Sequence, residues 1–285
     1  MKNLAASPTQ SAEYRGAFAW ISRALTILLG LVWIFPLYWA INTSLMAEPN
    51  TVMRPPSFIP RPPTLEEFDF IINHSQIIRW YFNSVVTTLA VVVFVLLLSL
   101  MSAYALSQVR FRGKKVLYIF ILAGFMIPYA TNVIPLYMLM VKLKLSNTYW
   151  GIILPQLVNP IAVVIYKQFF DQMPLEMSDA AKMDGAGEFR VLFRIFVPLN
   201  LAVTWALAII LSIWTWNNFF WPYIIENTTP MMTIPVGITQ TQSSYGVHFG
   251  RDMATAVLAA IPTVLLYLVF QRRVAQGVAI TSGIK

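Results

Sequence analysis

An all-α fold embedded in a membrane, with six crossing helices, is what this sequence predicts, and three observations predict it. Of its 285 residues, 58% are hydrophobic and only 11% are charged, where a soluble domain carries about a quarter; mean hydropathy is +0.64. Six stretches stay apolar over about the 20 residues that a helix needs to cross a bilayer. Lys and Arg are also unevenly shared between alternate inter-span segments, which is how membrane topology is encoded.

The spans are expected at Trp20–Ile41, Phe82–Leu106, Val116–Val141, Tyr149–Phe170, Pro198–Ile225 and Met253–Phe270. One side of this frame holds 14 basic residues: Lys2, Arg15 and Arg23; Arg110, Arg112, Lys114 and Lys115; Lys167, Lys182, Arg190 and Arg194; Arg272, Arg273 and Lys285. The other side holds 6, namely Arg54, Arg61, Arg79, Lys142, Lys144 and Arg251. The richer side is then cytoplasmic and so are both termini. The organisation that follows is a cytoplasmic segment 1–19, a first helix 20–41, an external loop 42–81, a five-helix core 82–272 and a cytoplasmic tail 273–285. Trp20, Trp39, Trp80, Trp150 and Trp221 fall near span ends, where indole rings favour the interface. The polar start, MKNLAASPTQSAEYRGAF, does not read as a cleaved signal peptide.

Several function classes are excluded. There is no cysteine, so no disulfide framework and no thiolate site, and the two histidines, His74 and His248, are isolated. No metal site and no catalytic group is expected. The net charge of +8 follows topology rather than a stripe that nucleic acid would need. Away from their ends the spans carry no Asp, Glu, Lys, Arg or His, which argues against a proton-coupled carrier. A sodium-coupled carrier using carbonyls and hydroxyls stays open, although no internal repeat supports it. So does a nontransporting scaffold, against which the prolines in and beside spans (Pro36, Pro128, Pro135, Pro155, Pro262) argue for functional bends. No GxxxxGK[ST] phosphate loop occurs; Gly113-Lys114 lacks both the upstream glycine and the hydroxyl. The chain is not expected to bind ATP or any cofactor itself.

One segment stands apart. "SDAAKMDGAGEFRVLFRIFVPL" (Ser178–Leu199) is charged and lies between two apolar spans. Pro174 suits a first helical turn, Glu176 and Asp179 favour the positive end of the helix dipole, and Gly185 is a good terminator. A short helix over Leu175–Asp184 is predicted, with Met177, Ala180 and Ala181 on one smooth face, followed by a second piece over Glu188–Phe196. Under three turns, it is marginal alone and needs a surface to pack on. From the residues, that surface is either the lipid headgroups or a cytoplasmic protein.

The segment resembles the signature of ABC-importer permeases: Glu-Ala-Ala, three residues, Gly, nine residues, Ile-x-Leu-Pro. Here it reads Asp179-Ala180-Ala181, then Gly185, then Ile195-Phe196-Val197-Pro198. "MIPYATNVIPLYMLMVKLKLSNTYWGIILP" (Met126–Pro155), "WNNFFWPYI" (Trp216–Ile224), "TIPVGI" (Thr233–Ile238) and "MATAVLAAIP" (Met253–Pro262) follow the order found in the sugar-importer branch, specifically the smaller permease of the maltose-importer type. The resemblance implies a type I importer permease fold of six transmembrane helices. It implies a permease subunit for a sugar or oligosaccharide, alginate-derived ones among them, in the inner membrane of a bacterium. Its partners would be a second permease, two ATP-binding subunits that carry ATP and Mg, and an external solute-binding protein. It makes residues about 175–185 a coupling helix seated in a groove of the ATP-binding subunit, with Asp179, Ala180, Ala181 and Gly185 in contact and Ile195 and Pro198 joining it to the fifth span. In the tail "GVAITSGIK", Thr281, Ser282 and Gly283 become further contacts. In the external loop Glu226–Asp252 the expected binding-protein contacts are Gln240, Gln242, Ser243, Tyr245 and Gly246. Tyr129, Asn132, Trp216, Asn217 and Asn218 are the candidates for a sugar path, their aromatic faces and amides being suited to it.

Overall fold

The computed structural model describes residues 8–241 and 247–281. Every regular element among them is helical. In chain order these are α1 (Pro8–Ser44), α2 (Glu48–Thr51), α3 (Glu66–His74), α4 (Ile77–Ser107), α5 (Lys114–Met126), α6 (Tyr129–Lys142), α7 (Tyr149–Ile153) and α8 (Pro160–Phe170). After them come α9 (Leu175–Met183), α10 (Glu188–Val191), α11 (Val197–Leu199), α12 (Leu201–Trp216), α13 (Phe220–Ile225), α14 (Ile234–Gly237) and α15 (Phe249–Thr281). The chain divides into two units, one comprising residues up to Asn73 with Gln242–Leu258, the other His74–Thr241 with the rest of α15.

In the first unit, α1 is apolar and mostly exposed from Phe18 to Ile41 and becomes buried at Asn42–Ser44. There Tyr38 Oη donates to the Phe58 carbonyl, Asn42 Nδ2 donates to the Ser57 carbonyl at 2.9 Å, and the Thr64 amide reaches Leu45 at 2.9 Å. Buried Glu67 accepts from Arg251 Nε at 3.0 Å, and the guanidinium lies 3.7 Å from the centre of the Phe70 ring. Glu48 Oε2 accepts from the Gly250 amide at 3.0 Å, placing a carboxylate on the N-terminal turn of α15.

In the second unit, α4 is the central element. It is long, apolar and free of Gly and Pro, and it packs against α8 and α12. Val91, Val95, Leu100 and Ala103 of α4 meet Ala162, Tyr166 and Phe170 of α8 and Val203, Leu207 and Leu211 of α12 in one core.

Three helices are each long and apolar enough to cross a membrane, 18–44, 77–107 and 249–270; three further pairs meet the same test only together and are bent. Three of the six expected stretches are thus pairs of helices joined at a bend, as the prolines in and beside them led one to expect. The break between α5 and α6 turns the chain by 99° at Ile127-Pro128. Pro128 has no amide hydrogen and forces Ile127 into an extended conformation (φ −77, ψ 119). The bend of 47° before α8 falls beside Pro160. Pro198 lies in α11, and α12 begins at Leu201 after an 83° bend. The residue at that corner is Asn200, whose Nδ2 donates to the Phe196 carbonyl at 2.8 Å. Past Trp216 the helix stops again, and α13 is separate.

Two tryptophans expected at the interface are core residues instead. Trp221 is fully buried and donates to the Gly151 carbonyl at 3.0 Å. Trp80 is 1% exposed, donates to the Thr229 carbonyl at 2.8 Å and lies against Gly237. Sequence position cannot separate an indole that faces headgroups from one that closes a helix-to-loop joint. Both satisfy the N–H, and only packing distinguishes them.

The segment after α13 is held on α4 by hydrogen bonds. Asn83, fully buried, donates to the carbonyls of Pro230 (2.9 Å) and Met232 (2.8 Å) and accepts from Tyr149 Oη at 2.7 Å. Ser84 Oγ accepts from the Ile234 amide at 2.8 Å. Glu226 is buried beside this segment and its Oε2 accepts from the Thr233 amide at 3.0 Å. Burial pushes its carboxyl up to about 7, the hydrogen bond from the Thr233 amide opposing.

Two expected outcomes follow from this packing. A Cβ on Gly237 would stand 2.2 Å from the Trp80 ring, so Gly237→Ala should cost about 1–3 kcal/mol. Gly30→Ala, with open space around it, should cost nothing. Thermal unfolding in detergent compares them, and equal midpoints would contradict the packing. For Glu226 the folded value lies above the ordinary 4.5, so the folded state holds its proton more tightly. Its contribution is fully favourable below about pH 4.5, declines as pH rises to about 7, and is level above that. Glu226→Gln should flatten this decline and be more stable than the parent at pH 8, by up to about 3 kcal/mol. Unfolding midpoints between pH 4.5 and 8 measure it.

Candidate functional site

The short charged helix forms as expected, as α9. Pro174 precedes it with φ −60 and ψ 137, and Glu176 sits in its first turn and Lys182 in its last, each complementing the dipole. It ends in a Schellman turn: the Gly185 amide bonds the Lys182 carbonyl at 2.9 Å and the Ala186 amide bonds the Ala181 carbonyl at 3.0 Å. Gly185 has φ +82, a value that costs a residue with a side chain roughly 1 kcal/mol or more. That is why glycine stands there.

Its faces differ from the expected arrangement. Ser178 is buried, and Ala181 is partly buried against the core shared by α4, α8 and α12. Residues three apart form the inward seam. Asp179 and Ala180 face outward, as do Glu176, Met177 and Met183, the last 88% exposed. The smooth surface of Met177, Ala180 and Ala181 is therefore split: the first two are available to a partner, while Ala181 holds the helix in place. Gly185 is exposed, with nothing within 4 Å of where a Cβ would be. Ile195 packs on the core, and Pro198 is exposed.

The helix is also fastened at its C-terminal end. Lys182 Nζ lies 2.8 Å from Glu188 Oε1, and Tyr104 Oη donates to Glu188 Oε2 at 2.7 Å. Tyr104 is a buried residue of α4, edge-on to Phe196. None of these three was legible as a site residue. Lys182 and Glu188 are six apart and share no helical face, and Tyr104 is 84 residues away.

After α10 the chain runs through one π turn, Leu192–Phe196, before Pro198. This is the kind of irregularity that inserts where a regular ladder is interrupted.

The other predicted residues are scattered. Gln240 ends a short 3-10 turn at the surface; Gln242, Ser243, Tyr245 and Gly246 lie outside the described residues. Thr281 is the last residue of α15, and Ser282 and Gly283 lie outside the described residues. Of the path candidates, Trp216 is buried and its Nε1 donates to the Ala259 carbonyl at 3.4 Å. Asn217 Nδ2 donates to the Ile213 carbonyl at 2.8 Å, and Asn218 Nδ2 donates to Gln156 Oε1 at 2.9 Å. These bonds close helix ends and join helices. Tyr129 is half-exposed and edge-on to Phe220, and Asn132 is half-buried. A cavity of about 430 Å³ opens elsewhere, lined by Ser99, Ser102, Phe120, Gly124 and Asn159 among others, and none of the path candidates borders it.

The geometry is thus a helical core in which α4 carries a small charged helix at one end and a hydrogen-bonded loop segment at the other. Known proteins share it. The family described as "Binding-protein-dependent transport system inner membrane component" matches residues 96–279. The arabinooligosaccharides transport system permease protein of Halalkalibacterium halodurans is 33% identical over 274 residues, covering 94% of this chain and 96% of that one. The sn-glycerol-3-phosphate transport system permease protein of Brucella suis is 30% identical over 267 residues, covering 90% and 95%. In fold, a chain from the crystal structure of a bacterial ABC transporter involved in import of the acidic polysaccharide alginate superposes with a TM-score of 0.83 at 20% identity, covering 95% of this chain and 99% of that one. Matched over more than half its length by the family and nearly end to end by such relatives, this chain belongs to the binding-protein-dependent transport system inner membrane components.

Proposed function

We propose that this chain is the permease subunit of an ATP-driven importer for a sugar or oligosaccharide, and that α9 is its coupling helix. The observation that carries this is α9 itself: the signature spacing of Asp179, Ala180, Ala181 and Gly185 folds into a helix anchored by Ser178 and Ala181, with Asp179 and Ala180 left free to meet a partner. A sugar cargo is supported by relatives named for arabinooligosaccharides and, in Rhizobium radiobacter, for lactose at 32% identity over 197 residues, covering 69% of this chain and 72% of that one.

Under this reading three straight and three bent spans give six crossings, with both termini cytoplasmic by the distribution of Lys and Arg. The chain works in a bacterial inner membrane with a second permease. Two ATP-binding subunits carry ATP and Mg and close against α9, while an external binding protein delivers the sugar. Closure must favour one state of the permease pair over the other, which requires contacts made in that state only. Gln240 to Gly246 supply amides, hydroxyls and an aromatic ring that can replace sugar contacts in an opened binding protein. Thr281, Ser282 and Gly283 would add a second contact to the ATP-binding subunits. Tyr129, Asn132, Trp216, Asn217 and Asn218 remain candidates for the path, secondary to their packing roles.

Ala180→Trp adds bulk at the docking face without touching the core, and Gly185→Asp strains the turn that ends α9. Both should leave membrane insertion intact and lower substrate-dependent ATPase stimulation in proteoliposomes at least five-fold. Unchanged stimulation in both would make α9 a membrane-surface element. Deleting Thr241–Ser244 should preserve assembly while weakening stimulation by liganded binding protein, and equal stimulation in deletion and parent would reject the external contact.

A further inference from the structure

The carboxylate of Glu188 uses both oxygens on different elements. Oε1 pairs with Lys182, in the last turn of α9, at 2.8 Å, and Oε2 takes the Tyr104 hydroxyl of α4 at 2.7 Å. Glu188 is also the first residue of α10, so it lies directly after the Schellman turn that ends α9. The other links of α9 to the core are Ser178, Ala181 and chain continuity.

Tyr104 stands three residues before the end of α4. Asn83 and Ser84 stand 21 and 20 residues earlier on the same helix, about 31 Å away at 1.5 Å per residue. They hold the carbonyls of Pro230 and Met232 and the amide of Ile234. The helix between carries no Gly and no Pro, the usual causes of a kink. A displacement of α9 therefore has a direct hydrogen-bonded connection to one end of a stiff helix whose other end holds part of the loop expected to be external.

We propose that Glu188 is a positioning residue for coupling: it latches α9 to α4, and α4 carries the displacement between the docking helix and the Thr229–Gly237 segment. This rests on α9 being the coupling helix.

The test uses the whole transporter in liposomes, with ATPase measured with and without liganded binding protein. In Glu188→Ala the stimulated-to-basal ratio should fall five-fold or more, while the yield of assembled complex and its unfolding midpoint change little. Glu188→Gln keeps an acceptor for Tyr104 and loses the ion pair, so it should recover part of the ratio. Tyr104→Phe, which leaves the ion pair, should lower the ratio two-fold or more. An unchanged ratio in Glu188→Ala would overturn the latch. So would losses of basal rate, stimulated rate and complex yield in one proportion, the behaviour of a simple structural fastener. If the parent complex fails to retain its ATP-binding subunits at all, the docking reading falls and the latch with it. An unchanged ratio in a complex that retains them removes the latch alone.

Discussion

Asn83 is the constraint on which the larger unit turns. It is a fully buried amide in the N-terminal third of a largely apolar helix. Burying such a group is costly unless its donors and acceptor are all used. It meets the requirement by taking two loop carbonyls and a tyrosine hydroxyl. This in turn fixes where the Thr229–Gly237 segment can lie. Trp80 and Ser84, one turn before and one residue after, add a bond each to the same segment. A loop that would otherwise wander is held on a span by its backbone groups, and Gly237 is small because Trp80 lies against it.

The bends follow from the same need for partners. Where a proline removes an amide from a helical ladder, the chain finds a different local solution. At Ile127-Pro128 it turns sharply, at Asn159-Pro160 the asparagine side chain accepts from the Ala162 amide, and after Pro198 Asn200 closes the corner. An irregular backbone inside a membrane protein is tolerable when buried in protein or lining a polar space. The corners at Asn159 and Asn200 are met by side-chain amides. The result is a stiff central helix packed against jointed ones.

The position of α9 illustrates how small surfaces are divided. Nine residues cannot both bury a broad apolar face and offer one. The helix turns Ser178 and Ala181 inward and leaves Glu176, Met177, Asp179 and Ala180 exposed. The deficit is met at the end by a glycine-closed turn and a shared carboxylate. An exposed ion pair of this kind adds little stability by itself. Its worth lies in fixing direction, because the second oxygen of Glu188 is bound to a buried tyrosine.

The membrane class, the long apolar helices, α9 with its glycine terminus and the family signature were all determined by the sequence alone, because each rests on local pattern. Hydropathy over 20 residues, proline and glycine at helix ends, and a fixed spacing of Asp179, Ala180, Ala181 and Gly185 are readable without knowing what touches what. What the tertiary structure decided is everything that depends on a partner distant in sequence. Trp80 and Trp221 looked like interface residues and are core, because their partners are Thr229 and Gly151. Ala181 looked like part of the docking face and is turned inward, because a face is defined by its neighbours rather than by periodicity alone. Tyr104 and Glu188 meet across 84 residues with no pattern to join them. Local propensity sets where helices begin and end, but which side chains share a hydrogen bond is settled only when the helices have packed.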